Sequence, residues 1–427
     1  MPQHTPQSTA GALTRRHFLQ HTTTAALTGA ILTGARRATA ANDRLGVLVI
    51  GNGGRGGSHL SMWDRMAQEE KDVEIVAVCD VYRPRAQRAA DRYKAKLYMD
   101  HREALADPAV DVVSIATPDH HHGYQAIDAV KAGKDVYCEK PVTHWRQFDL
   151  LKKLTAKVKQ SDRAFQLGTQ GMSDSAWHQM KALVQDGLIG QPILAECGYF
   201  RVGDWGERGM PIDDPNAKPG ADLNWEAFLG DSPKRDFDVS RFFRWRMYED
   251  YAGGPCTDLF PHSLTPVVSI LGAGMPGTAV ASGGKFRYQE REVPDTFNML
   301  IDYPAGLTIA VLGTQGNDLQ GTGGRGAGGR VPIIRGWDGS LTLEGEEIVF
   351  TPIQNSPKKA QRFPIEHKEE TYRHFRNLVT CRKEGRVDTW SDVQLALETQ
   401  TALIMGFLSL RNGKTAKFDP TQNTIAV

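Results

Sequence analysis

From residue 45 onward the chain alternates short apolar runs with amphipathic stretches. The runs "LGVLVI" (45–50), "VEIVAVCD" (73–80), "DVVSIATP" (111–118), "DVYC" (135–138) and "AFQLGTQ" (164–170) carry few polar interruptions. Continuous apolarity over so few residues is the signature of strands covered on both faces. A weaker run at Leu97 and Tyr98 adds another. Between them, "GGSHLSMWDRMAQ", "RPRAQRAADRYK", "YQAIDAVKAG" and "FDLLKKLTAKVKQ" space their apolar residues at helical intervals. Strand–helix alternation of this kind predicts an α/β domain over 41–170, a doubly wound parallel sheet of the Rossmann type.

After Gln170 the texture changes. One helix, about 174–186, precedes longer runs of strand character: "PILAECGYF", "TAVASGGKFRY", "TFNMLIDY", "LTIAVLGT" and "SLTLEGEEIVF". Turn residues separate them, which predicts a C-terminal α+β domain over 171–427 with a large, mostly antiparallel open sheet. Residues 203–240, rich in Pro, Gly and Asp, read as a long surface loop, and "GTGGRGAGGR" (321–330) as a flexible one. Residues 371–383 and 391–410 read as closing helices.

Composition adds limits rather than identity. A chain of 427 residues exceeds what one hydrophobic core organises, so two domains are expected. Lys+Arg 51 against Asp+Glu 50 leaves no field that would draw nucleic acid or a membrane surface. Five scattered cysteines without a C-x-x-C pair read as small buried hydrophobes, neither a disulfide framework nor a zinc site.

Residues 1–40 stand apart. "TRRHFLQ" (14–20) places two arginines before a mildly apolar Thr/Ala/Gly run that ends in "ATA", Ala38 to Ala40. This resembles a twin-arginine export signal cleaved near Ala40, which predicts a periplasmic or secreted protein with no membrane span after processing. Four of the 51 basic residues and none of the 50 acidic ones fall in 1–40, so the processed chain carries a net charge of −3.

"GNGGRG" (51–56) fits G-x-G-x-x-G between a strand and a helix. There Gly51 permits a tight turn, Gly53 lets the backbone approach a pyrophosphate, and Gly56 lets the helix pack close to the strand. The loop also supplies Asn52, Gly54 and Arg55, and the helix N-terminus offers free amides to phosphate. Asp80, ending the second strand, is placed to accept from a ribose diol and to repel a 2′-phosphate, favouring NAD; Arg83 nearby leaves NADP open. Ligands of open α/β sheets lie beyond the carboxyl ends of the strands, where "ATPDHHH" and "CEKP" end. Lys140 is thus presented toward a nicotinamide, with Pro141 fixing the backbone. The triple histidine 120–122 does not read as a metal site, since three consecutive residues cannot face one ion, and Asp119 reads as a helix cap.

In this order and spacing, "GNGGRG", "CD", "ATPDHHH", "EKP", "GTQ" and "DYAGGPCTDLFPH" resemble the Gfo/Idh/MocA family of oxidoreductases. The resemblance implies a Rossmann domain followed by an open-sheet domain, and assembly as a homo-oligomer. It implies that Lys140 contacts the substrate hydroxyl and assists its deprotonation, that His262 is the acid/base partner, and that Asp258 orients His262 or binds sugar hydroxyls. Asp258 and His262 are four residues apart, so one helix would put them on one face. Leu-Phe-Pro (259–261) stands where that element usually has a small residue, and Pro261 just before His262 shifts the helix start and puts the pairing in question. The resemblance further assigns Thr117, Pro118 and His122 to the cofactor wall and Glu139 and Gln170 to its nicotinamide half.

Export narrows the chemistry. Free nicotinamide cofactor is not expected outside the inner membrane, so NAD would travel bound and be restored in each turnover. An oxidoreductase acting on a sugar or polyol hydroxyl meets that condition; so does a redox-neutral NAD-dependent glycoside hydrolase. A sugar-binding protein with a vestigial cofactor is the third reading. Trp205, Arg244, Trp245 and Arg246 are candidate contacts to a sugar.

Overall fold

The first sheet is built on central strands of buried apolar residues, with the partly exposed β3 at one edge. β1 (Leu45–Ile50) is buried at every position, and β2 (Val73–Cys79), β3 (Lys96–Tyr98), β4 (Val112–Ile115), β5 (Asp135–Cys138) and β6 (Phe165–Leu167) follow, all parallel, in the order β3-β2-β1-β4-β5-β6. The connecting helices are α1 (Gly54–Glu69), α2 (Arg83–Tyr93), α3 (His101–Leu105), α4 (Asp119–Lys131) and α5 (Phe148–Lys159). The order reverses between β1 and β4, the crevice where an open α/β sheet binds ligands. This computed structural model describes residues 44–203, 210–319, 324–325 and 329–427. The segment read as an export signal, 1–40, and Trp205 lie outside the described residues.

The second sheet follows α6 (Ser175–Gln185). It starts with β7 (Pro192–Val202) and, after α7 (Trp225–Leu229), α8 (Val239–Phe243), α9 (Pro255–Asp258) and α10 (Phe260–Leu271), continues with β8 (Thr278–Gly284), β9 (Thr296–Tyr303) and β10 (Leu307–Thr314). The short strands β11 (Gly316–Asn317), β12 (Gly324–Arg325) and β13 (Gly329–Arg330) precede β14 (Ile333–Gly336), β15 (Gly339–Glu344), β16 (Glu347–Pro352) and β17 (Gln361–Pro364). Helices α11 (Thr371–Lys383) and α12 (Val393–Asn412) and strands β18 (Ala416–Asp419) and β19 (Thr424–Ala426) close the chain. The sheet is mixed and mostly antiparallel, with β7 and β10 running parallel at its centre. On β9 the alternation is strict: Phe297, Met299, Ile301 and Tyr303 point inward against α10 and α12, while Leu300 and Asp302 face out.

The closing helices return to the first sheet. Phe375, Leu378 and Val379 of α11 pack with Trp63 and Tyr137 on one face, and Val393, Ala396 and Ile404 of α12 pack with Leu154 and Phe165 on the other. Each such buried Val, Leu, Ile or Phe side chain contributes about 1.5–3 kcal/mol. α12 is 20 residues long and apolar enough to cross a membrane by length and composition, yet 67% of that stretch is buried in the protein.

The reading of 203–240 as a surface loop is overturned. The segment read as a surface loop over 203–240 carries α7 and α8 and, with residues on either side, a separate aromatic core: Tyr82, Leu223, Trp225, Phe228, Phe242, Phe243, Trp245 and Tyr251 are all buried. Pro and Gly around these aromatics obscured spacing that the short helices use. The segment is stapled to the first sheet through its backbone: Arg83 N–H donates to Asp222 O at 2.8 Å, Asn224 N–H to Val81 O at 3.0 Å, and Tyr82 bridges Leu223.

Candidate active site

The turn after β1 makes an anion cradle. Gly51 adopts φ +84°, where a side chain would also meet Ala116 at 2.8 Å. A Cβ on Gly56 would fall 1.7 Å from Gly51 O, so only glycine lets α1 approach the strand. Gly53 caps α1 without a side chain, no acid lies in the first turn, and nothing stands within 4 Å of where a Gly54 Cβ would be. The first residues of this 16-residue helix, Gly54 and Arg55, line the cleft, with the helix dipole behind them.

Asp80 is positioned by two backbone amides: Asn52 N–H donates to Oδ2 at 2.7 Å and Tyr82 N–H to Oδ1 at 2.9 Å. Burial pushes its pKa up, opposed by Arg85 and by these amides. Arg83, the residue that left NADP open, instead pairs with Asp222 at 3.2 Å. Arg85, one of the cations lining the cleft, is gripped by Asp213 at 2.8 and 3.1 Å, with Arg88 joining at 3.2 Å. The cleft, about 590 Å³, runs from Asp80 past Gly53 and Thr117 to Trp245 and Arg246, under the aromatic segment.

The ends of β4 and β5 are cross-linked by His122. Its ring nitrogens lie 2.6 Å from Pro141 O and 2.7 Å from Thr117 O. Burial lowers the ring's pKa, and the two carbonyls oppose the shift. His120 and His121 turn the other way, each with Nε2 2.7 Å from Phe228 O. Thr117 donates to Gln125 Oε1 at 2.7 Å. Asp119 is not the cap expected of it: Pro118 holds the N-cap position, and the Asp119 carboxylate accepts from Thr257 Oγ1 at 3.0 Å.

Beyond β5, Glu139 and Lys140 diverge, and the Lys140–Pro141 peptide is cis. Glu139 Oε1 accepts from Arg55 Nε at 2.7 Å and lies 3.0 Å from His59 Nε2. His59 Nδ1, 2.9 Å from Ser114 Oγ, is then the acceptor, which fixes the tautomer. Burial alone would raise the Glu139 pKa, but Arg55 and His59 hold it well below the usual carboxylate range. Sequence reading missed His59; its signal is a lone polar residue on the buried face of α1.

The Lys140 ammonium donates to Asp258 O at 2.6 Å and to Asp258 Oδ1 at 2.9 Å. Arg246 Nε lies 3.3 Å from the same Oδ1 and Arg201 Nη2 3.7 Å from Oδ2. Burial works against the charge on Asp258, yet these three cations hold its carboxyl far below the ordinary range. The single helix expected to join Asp258 to His262 is broken at Leu259: α9 ends at Asp258 and α10 begins at Phe260. Pro261, the second residue of α10, has no N–H to continue the ladder. The Asp258 carboxylate consequently faces Lys140, Arg246 and Arg201. Burial, with Lys140 adding to it, lowers His262 to about 3, so the ring is neutral, its centroid 6.4 Å from that of Tyr199.

The residues present fit a dinucleotide. Among the buried side-chain oxygens with no hydrogen-bond partner in the described residues are Asn52 Oδ1 and Gln170 Oε1. Both belong to the predicted cofactor set, and unmet buried acceptors call for a donor from a ligand or water. Of the candidate sugar contacts, Trp245 is buried with Arg246 4.2 Å above its ring, and Arg244 Nε donates to Met210 O at 3.0 Å.

Comparison with known proteins agrees with this geometry. Residues 45–169 match the model of an oxidoreductase family with an NAD-binding Rossmann fold, GFO_IDH_MocA, and residues 173–426 match that family's C-terminal alpha/beta domain. Inositol 2-dehydrogenase of Salmonella paratyphi B is 34% identical over 156 residues, 36% of this chain and 45% of that protein. Its counterpart in Rhodococcus jostii is 29% identical over 240 residues, 55% of each chain. The chain thus spans about half the length of these relatives. Levoglucosan dehydrogenase in complex with NADH shares the fold with a TM-score of 0.65 at 18% identity, over 87% of this chain and 98% of that one. Aldose-aldose oxidoreductase from Caulobacter crescentus, complexed with glycerol, gives 0.62 at 18% identity, over 88% and 100%.

Proposed function

This chain belongs to the Gfo/Idh/MocA oxidoreductase family, and we propose that it transfers hydride between NAD and a hydroxyl carbon of a sugar or polyol while retaining the cofactor. The observation that carries the proposal is Lys140, held by Asp258 at the strand ends beside the Gly51–Gly56 cradle. NAD, when bound, supplies a hydride acceptor and donor. The chain's own residues supply the rest. The amides at the start of α1 would hold the phosphates of NAD, Asp80 its ribose, and Gln170 Oε1 would accept from a donor of the nicotinamide half. The Lys140 ammonium would donate to the hydroxyl oxygen and steady its developing negative charge as hydride leaves the carbon, and the neutral ring of His262 would take the hydroxyl proton.

Cofactor retention is supported by the segment stapled across residues 81–83, which roofs the cleft. The reading of 1–40 as a twin-arginine signal adds a reason for it: the chain would be exported folded, with NAD aboard, and act outside the inner membrane. Assembly as a homo-oligomer belongs to the same proposal. Val280 and Leu300, paired across β8 and β9, and Leu312 on β10 stand 47, 48 and 41% exposed on the open sheet.

The test is mass spectrometry of the nucleotide released on denaturing the purified protein, followed by addition of sugars and polyols. Reduction of the bound cofactor by a sugar supports the proposal. Release of phenol from aryl glycosides without added NAD would instead assign the redox-neutral hydrolase, which uses the same residues. A folded chain that contains no dinucleotide and takes none up would refute both.

A further inference from the structure

α9, which carries Asp258, has only four residues, and Gly254 before it sits at φ +60°. One isolated turn of helix does not hold its shape in water. α9 must therefore be fixed by contacts to its neighbours, and the Lys140 clamp depends on them. Two such contacts come from its side chains. Cys256 Sγ lies 3.3 Å from Leu403 O on α12. Thr257 Oγ1 accepts from Gly253 N–H at 2.9 Å, so its one proton goes to Asp119 Oδ2 at 3.0 Å. Asp119 is 4% exposed and Thr257 is fully buried.

We propose that Asp119 is a positioning residue of the hydride-transfer site: through Thr257 it ties the start of α4 to α9, keeping the Asp258 carbonyl and carboxylate on the Lys140 ammonium. The inference rests on the function proposed above. It adds a residue to which neither the family resemblance nor the strand-end argument gives a role. A carboxylate here also adds charge to a crowded neighbourhood. Arg246 from the segment before α9, Lys140 from the end of β5, and Asp258 and Thr257 from α9 all bear on it, and burial pushes its carboxyl up to about 7.

The test uses full-length protein with its cofactor in four variants, Asp119→Ala, Asp119→Asn, Thr257→Val and Thr257→Ser. Two quantities are read: deuterium uptake by the amides of 253–258, and the rate at which myo-inositol or glucose reduces bound NAD. D119A and T257V are expected to exchange at least about 10-fold faster there and to reduce NAD more slowly, by on the order of 100-fold, at unchanged cofactor content. The double variant should be no worse than either single one. T257S and D119N keep an oxygen in place and should restore slow exchange. D119N should also erase an inflection near neutral pH in the rate profile, which a purely structural residue would leave in place. D119A and T257V within twofold of the parent in both readouts, or additive effects in the double variant, would overturn the proposal. Should D119A fail to fold, the near-isosteric T257V decides. If neither sugar reduces the parent's NAD, the functional reading has failed for these substrates, and the exchange data still decide the tie.

Discussion

Lys140 and Asp258 are 118 residues apart in the chain, yet the ammonium of one donates to both the main-chain and the side-chain oxygen of the other, at 2.6 and 2.9 Å. The clamp fixes the end of a Rossmann strand against a helix from the second half of the chain. It gives the first prediction. Lys140→Ala should lower kcat by about 10²–10⁴-fold with NAD still bound and the chain still folded at reduced stability, since Asp258 keeps Arg246 and Arg201 as partners. The check is turnover alongside cofactor content. Lys140→Arg, which keeps the charge but not the shape, should recover little.

Removing the other partner should act on the fold as well. Asp258→Ala leaves Lys140, Arg246 and Arg201 crowded around an empty place. Breaking a buried ion pair from one side costs about 3–5 kcal/mol. Urea denaturation should show a loss of that order, and Asp258→Asn, which keeps an acceptor, a smaller one.

Cofactor choice should respond to two residues. Asp80 stands where a 2′-phosphate would lie, and Asp213 occupies the guanidinium of Arg85. Asp80→Ala should weaken the preference for NAD, and adding Asp213→Asn should free Arg85 for the extra phosphate and move the preference toward NADP. The nucleotide recovered from protein reconstituted with an equimolar mixture of the two reports the outcome.

Acid should destabilise the protein early. Burial holds His374 at about 3 and lowers His59, His120 and His144. A histidine depressed in the folded state binds more protons when unfolded, so its contribution is present above the unfolded value near 6.5 and lost as pH falls below it. From pH 6.5 to 5 each ring whose folded value lies below that window removes about 2 kcal/mol. Chemical denaturation across this range should show stability falling steadily, and His374→Gln should flatten the slope.

The roof over the cleft is testable through Leu223, 1% exposed in the aromatic core. Leu223→Ala should cost about 2–5 kcal/mol locally and speed the escape of NAD into a competing dehydrogenase assay. Retention equal to the parent's would show that the segment does not hold the cofactor.

The sequence made the first sheet legible because its strands are buried on both faces and its nucleotide turn needs glycine at fixed places, as Gly51 and Gly56 show. The second sheet was legible through alternation of the kind β9 displays. Other features depend on contacts between distant residues. Nothing near Trp225 or Phe242 announces that they share a core with Tyr82. Asp119 looks like a cap until Pro118 is seen to occupy that place, and Asp258 looks paired with His262 until the helix breaks at Leu259. His59 gave only a single polar letter, and its partners Ser114 and Glu139 lie 55 and 80 residues away.

α12 bears on how such a protein could be moved between compartments. Drawn out as an extended thread, Val393–Asn412 is a stretch that a lipid-lined translocation channel would be liable to release sideways and strand in the bilayer. Folded, most of its apolar face is packed between two sheets and withdrawn from insertion machinery. If the chain is exported as proposed, the helix that completes the interior sets an order of events in which shape comes before the membrane.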